Sequence, residues 1–207
     1  MRLKLYLSLL WHSAAAPFDV TATAYSWATL LGLPDPDRSG KRRIQDAITW
    51  LATNQFVEVT LRPGRHPTLR PLREDGSGEP YTLPGPEAEP GKPPSFRQLQ
   101  AEFWTNGWIT KLSGPAIAVW LAYVDAKGAN NEDPWISERQ TRDRYGLTDD
   151  TRKKGLKELI AAGLVERRYA RLREPFRSDR PITHYRLYPT RFAIVPPVDD
   201  ATIPQGV

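Results

Sequence analysis

The residues of this chain best placed to do chemistry are cations at helical spacing. In "LTDDTRKKGLKELIAAGLVERRYARL", residues 147–172, Lys153, Lys154 and Lys157 fall on one side of a helical projection with Asp150 nearby. Leu156, Leu159 and Ile160 fall on the other side, which must be buried. Thr151 and Arg152 stand in the same first turns, and Arg167, Arg168, Arg171, Arg173, Arg177 and Arg180 carry the positive charge on into an extended stretch and a loop. Side chains in that arrangement neutralise the phosphates of a polyanion, and a minority of them can hydrogen-bond base edges. The plain alternative is a solvated helix face beside a surface hairpin. Few acids interrupt the basic run, which argues against that alternative.

A second set lies in the first half. "KRRIQDAITWLAT" turns Arg42, Gln45, Asp46 and Thr49 outward, flanked by Lys41 and Arg43, while Ile44, Ala47, Ile48 and Leu51 form the buried face. Gln45 has the donor and acceptor needed to pair bidentately with adenine. Downstream, Arg62, Arg65 and Arg70 surround a Pro63-Gly64 turn. The mixed charge of this face, with Trp50 near its edge, also suits a protein-docking surface.

Other chemistries find no footing. There is no cysteine, so disulfides, thiolate nucleophiles and cysteine-based zinc sites are excluded together. His12, His66 and His184 are scattered without metal-ligand spacing. No glycine-rich phosphate loop follows a strand and no nucleophile motif has its partners. Asp149 and Asp150 sit where a helix N-terminus favours negative charge. The chain is expected to be no enzyme and to need neither cofactor nor metal.

The elements that must position these cations follow from pattern and punctuation. The 207 residues suit two small domains or one medium one, and 29 Lys+Arg against 24 Asp+Glu leave a charge of +5, which favours an anionic partner. "MRLKLYLSLLWHSAAAP" has the early charge and small residues of a signal peptide, but its apolar core is short and His12 interrupts it. Leu3, Leu7, Leu10 and Trp11 instead follow helical spacing, predicting a first core helix. No segment is long and apolar enough to span a bilayer.

Proline and glycine crowd residues 74–94, which predicts a linker between a first domain, 1–73, and a second, 95–193, followed by a tail, 194–207. In the second domain Ser113 and Pro115 open a helix with Ile117, Trp120, Leu121 and Val124 on one face. A short extended Trp135-Ile136 follows, then a helix with a Ser137/Gln140 capping box that stops at Gly146. The basic helix starts at Thr148 and ends at Gly163, and a hairpin with a basic loop comes next. Trp11, Trp27 and Trp120 are expected in cores. Trp104 and Trp108 are expected to pack the domains together or to form a dimer contact, with "SFRQLQAEF" as a connecting helix.

The order helix, strand, helix, turn, helix, hairpin, together with "YGLTDDTRKKGLKELIAAGLVER", resembles bacterial winged-helix regulators and plasmid replication initiators. Arg152 departs from it, standing where that family often has an apolar residue. Gly32-Leu33 and Phe56-Val57-Glu58 repeat the same grammar in the first half, with Ile48 matching Leu156 and Leu51 matching Leu159; only the turn "PDPDRSGK" is longer. The resemblance implies a mainly α fold with small β wings (α+β), two winged helix-turn-helix domains in tandem. It implies a cytoplasmic protein that binds double-stranded DNA, as replication initiator or transcription regulator of a plasmid or other mobile element. A second copy of the chain and replication or transcription proteins are the further partners, with no membrane. The competing expectation is an adaptor whose modules dock on such machinery.

Overall fold

The computed structural model describes residues 1–83, 96–127, 133–170 and 182–196, with only the backbone at 170 and 182. The chain divides into two units, Met1–Glu87 and Ala88–Val207. Each combines helices with a small antiparallel sheet, an α+β arrangement.

The first unit begins with α1, Arg2–His12, and a two-residue strand β1, Val20–Thr21. Helix α2, Ala24–Leu30, starts where the Thr23 hydroxyl accepts the Ser26 N–H at 2.9 Å. It ends at Gly32, whose φ of 61° is the left-handed conformation that closes a helix. A π-type turn, Pro36–Gly40, then runs straight into α3, Lys41–Thr53. Strands β2, Val57–Thr60, and β3, Thr68–Pro71, complete an antiparallel sheet of order β1-β3-β2. Leu5, Leu9, Trp27, Ile44, Leu51, Val57 and Leu69 make the core.

Two expectations change here. Helix α1 buries Leu5, Tyr6 and Leu9, whereas Leu3, Leu7 and Leu10 are half-buried and Trp11 is 40% exposed. Seven of the eleven α1 residues are apolar and they spread around most of the helix, so periodicity singles out no narrow face; Tyr6, donating its hydroxyl to the Leu72 carbonyl at 2.7 Å, helps fix the rotation. The expected linker also starts later than Glu74. Arg73 donates its backbone N–H to the Glu79 carbonyl and its guanidinium to the Glu79 carboxylate, each at 2.9 Å, and the Tyr81 ring meets Phe18 edge-on. Residues 74–83 therefore fold back on the first unit, and 84–94 lie outside the described residues.

The second unit opens with two short helices, α4, Glu102–Thr105, and α5, Trp108–Lys111. Residues 96–100 are not helical, so the expected connecting helix reduces to α4. Helix α6, Gly114–Lys127, is the centre of the core, and it is buried far more widely than a single stripe: Ala116, Ile117, Val119, Trp120, Ala122 and Tyr123 are all enclosed. Leu121 and Val124 are only half-buried. Trp108 donates its indole N–H to the Ile194 carbonyl at 2.9 Å and packs on Phe192, while Trp104 packs on Phe103. Both tryptophans thus have partners inside their own unit.

The Ser137/Gln140 capping box opens α7, Glu138–Tyr145, and Gly146 closes it at φ 63°. Thr148 caps α8, Asp149–Ala161, whose Thr151 N–H it accepts at 3.3 Å. Strands β4, Val165–Ala170, and β5, Ile182–Leu187, pair antiparallel with Val165 opposite Leu187. The expected strand at Trp135-Ile136 does not form. One rung exists, from the Tyr185 N–H to the Pro134 carbonyl at 3.1 Å, and Pro134 has no N–H to return. A 3-10 turn, Pro189–Ala193, follows β5. The tail beyond residue 196 lies outside the described residues.

Candidate nucleic-acid interface

Helices α3 and α8 are the same element twice. Lys41–Thr53 and Asp149–Ala161 have equal length, and each residue of one corresponds to the residue 108 positions later in the other. Both end alike. Gln55 N–H bonds Ala52 and Phe56 N–H bonds Leu51; Gly163 N–H bonds Ile160 and Leu164 N–H bonds Leu159. Each helix then enters a hairpin, where Val57 and Val165 are buried at corresponding positions. Ile44, Ala47 and Leu51 hold α3 in its core, and Leu156 and Leu159 hold α8.

The sheets carry a second repeated device that the sequence did not announce. Arg70 on β3 stands opposite Glu58 on β2 and donates its Nε to Asp19 at 2.6 Å and Nη1 to Glu58 at 3.4 Å. Arg186 on β5 stands opposite Glu166 on β4 and donates to Asp133 at 3.1 Å. Each Asp–Arg–Glu set ties the hairpin to the segment preceding the middle helix. Only strand register brings these residues together, so no local motif could reveal them. Arg70, expected beside the turn, is therefore occupied.

Lys41, Arg42, Arg43, Gln45 and Thr49 all lie exposed on α3. Arg43 and Asp46 also line a shallow cleft with Arg2 and Leu3 of α1. Arg62 and Arg65 are exposed at the two corners of the β2–β3 turn, closed by the Arg65 N–H on the Arg62 carbonyl at 3.1 Å. Among the described residues, Lys41, Arg42, Arg43, Arg62 and Arg65 form no ion pair.

In the second unit the expected cations divide. Lys154 and Lys157 are exposed on α8 and likewise unpaired among the described residues. Lys153 is exposed but bridges Asp149 at 2.5 Å. Hydrogen bonds from Lys153 and then Arg152 hold the Asp149 carboxyl below the usual aspartate range. Thr151 is half-buried and its hydroxyl meets that of Thr148 at 2.9 Å, a capping position. Arg167 is exposed beside Tyr169 on β4, and Arg168 reaches back to Glu166 at 3.3 Å. The Tyr188 hydroxyl also donates to Glu166 and, with Arg168, holds that carboxyl low. Arg171, Arg173, Arg177 and Arg180 lie outside the described residues.

Arg152, expected among the outward cations, is turned inward. Its side chain is 10% exposed, and its guanidinium donates to Asp149 at 3.0 Å and to Glu138 of α7 at 3.2 Å. It faces inward near Tyr123, whose hydroxyl burial pushes up to about 12. A guanidinium so placed joins α7 to α8 and has little outward surface to present. It takes the place of Ile44 in the first unit, where an apolar side chain fills the same position completely.

What this arrangement offers chemically is a helix with free ammonium and guanidinium groups followed by a hairpin, built twice. No protein-family model matches the chain, and neither a curated protein nor a solved structure shows significant similarity to it.

Proposed function

We propose that the chain is a non-enzymatic, sequence-specific double-stranded-DNA-binding protein of two winged helix-turn-helix units, acting as replication initiator or transcription regulator of a plasmid or other mobile element. The observation that carries this reading is the repetition of one device: a helix held by apolar positions, exposing unpaired cations, and entering an antiparallel hairpin. The sheet order β1-β3-β2 and the Pro134–Tyr185 rung support the same topology in both units. A B-DNA major groove accepts an α-helix, and a hairpin beside it can reach backbone phosphates. Two units on one chain raise the effective concentration of the second once the first is bound.

The test is a titration of fluorescent random duplex at several salt concentrations, followed by selection of preferred sites from a random pool. A log–log slope steeper than about −4 and an enriched motif are the expected results. Direct repeats of that motif favour replication initiation, and a single palindrome favours a dimeric regulator. A flat slope without enrichment refutes DNA recognition and leaves the adaptor reading.

A further inference from the structure

Along β2 and just past it, alternate side chains share one face: Val57 is buried, Val59 half-buried, and Leu61 is 74% exposed. The core's apolar strip thus runs out of its cover and continues onto the open end of the hairpin. In the second unit the strip is interrupted by Arg167, yet the position matching Leu61 again carries a large exposed side chain. Tyr169, 108 residues after Leu61, is 68% exposed, on the same face of β4 as buried Val165. One exposed leucine is ordinary, but large apolar side chains exposed at the same place in two otherwise divergent units call for an occupant.

The surroundings say which occupant. Past Leu61 the chain makes the turn Arg62-Pro63-Gly64-Arg65, with proline at its second position and Gly64 at φ 70°, which is a stiff type II turn. It sets two unpaired arginines beside the leucine, and residues 60–67 contain no acid. Arg167 stands exposed beside Tyr169. Cations around an exposed leucine, and around a tyrosine ring whose hydroxyl meets Arg167, fit a strongly anionic surface that also offers apolar flat faces. Duplex DNA has both in its minor groove, where apolar side chains can part a base step and arginine prefers the narrow A·T-rich form.

We propose that Leu61 and Tyr169 are wedges: each enters a minor-groove base step beside its arginines and kinks the duplex there. This rests on the DNA-binding reading. The kink would turn flexible or A·T-rich steps into preferred neighbours without hydrogen bonds to their bases.

The experiment uses the full chain and short duplexes carrying dyes at both ends, so that energy transfer reports bending while anisotropy reports binding. Flanking A·T pairs are replaced by G·C or by inosine·C, which keeps an A·T-like minor groove under a G·C-like major groove, because inosine lacks the guanine amino group. The expected result is bending and affinity that survive inosine·C and fall with G·C. Leu61→Ala should lose most of its share of the bend and about tenfold in affinity with the salt slope unchanged, and Leu61→Phe should keep the bend. Tyr169→Ala should remove the second share. Arg62→Ala with Arg65→Ala should instead lower the slope by about 2. Because Leu61 is exposed, these variants do not disturb the core. Salt-dependent binding with wild-type bending by both Leu61→Ala and Tyr169→Ala, or inosine·C behaving as G·C, overturns the wedge alone. Absence of salt-dependent binding to any duplex overturns the wedge and the DNA-binding reading together.

Discussion

Adding one methyl group at Gly155 tests how α8 is held. A Cβ there would lie 2.7 Å from the Pro115 carbonyl oxygen and 2.7 Å from Val119 Cγ2, both belonging to α6. Val119 is fully buried and β-branched, so it has little rotamer freedom, and a backbone carbonyl cannot turn aside. The two helices must separate by several tenths of an ångström. Overpacking of this kind costs about 3 kcal/mol at the upper end, and the better helix propensity of alanine returns about 1, leaving Gly155→Ala destabilised by about 2 kcal/mol. For a unit of this size that is a fall of about 10 °C in Tm. Ala47 occupies the corresponding place in α3 and is buried there as alanine, so the first unit accommodates the methyl that the second excludes. Ala47→Gly should therefore lose about 1.5 kcal/mol, from propensity and the missing methyl. Urea unfolding of the full chain with hydrogen exchange read peptide by peptide assigns each loss to its unit. If Gly155→Ala leaves the second unit within about 0.5 kcal/mol of wild type, the close approach of α6 and α8 is wrong, and so is the placement of the α8 cations that depends on it.

Three further outcomes are expected. Lys154→Ala with Lys157→Ala should weaken duplex binding at least about tenfold and reduce the salt slope by about 2, whereas Lys153→Ala, already bridged to Asp149, should do less; equal effects from all three would contradict the pairing. Asp149 has a folded-state pKa below its unfolded one, so its contribution to stability is complete above the unfolded value near 4 and is lost as pH falls through the folded value. Asp149→Asn should flatten that part of the urea midpoint against pH below about 4, and an unchanged profile would show that the carboxylate has no stabilising partners. Gln55 holds φ 62° at the place where the second unit has Gly163, so Gln55→Gly should stabilise the first unit by about 1 kcal/mol in the same unfolding assay; destabilisation would mean that the glutamine side chain's packing on Gly78 outweighs the backbone strain.

What could be read from the residues alone was whatever is decided locally. Thr148, Ser137 and Gly146 act as caps because a hydroxyl or a missing Cβ meets a helix end within a few residues. The buried side of α3 followed from its alternation of apolar and charged positions, with Ile44, Ala47 and Leu51 enclosed and Ile48 half-buried. Features decided by distant parts of the chain were hidden. The face of α1 depends on what packs against it, the Pro134 segment depends on β5 for its single rung, and residues 74–83 return to the first unit through Arg73. Arg152 belongs to the same class: its charge marks it as outward, yet Glu138 and Asp149 converge on it from two helices and let it stay inside. Cationic residue type alone therefore overstates a surface, and ion pairing decides which cations are free to meet phosphate.

The internal repeat separates scaffold from reading surface in a way that one copy could not. Many corresponding positions that support the fold keep their character, Leu51 and Leu159, Val57 and Val165, Glu58 and Glu166, Asp19 and Asp133, Gly32 and Gly146, while Ile44 against Arg152 and Ala47 against Gly155 are the exceptions. The outward positions of α3 and α8 share almost nothing. Lys41 and Arg42 correspond to Asp149 and Asp150, Gln45 to Lys153, Asp46 to Lys154, and Thr49 to Lys157. In the first unit the cations crowd the start of the helix, where the dipole disfavours them; in the second, acids hold that end and cations occupy the middle. Two helices so different cannot make the same contacts to base edges. If both enter DNA, the segments beneath them should differ in sequence, and a selected site with two identical halves under one chain would contradict this division of scaffold from surface.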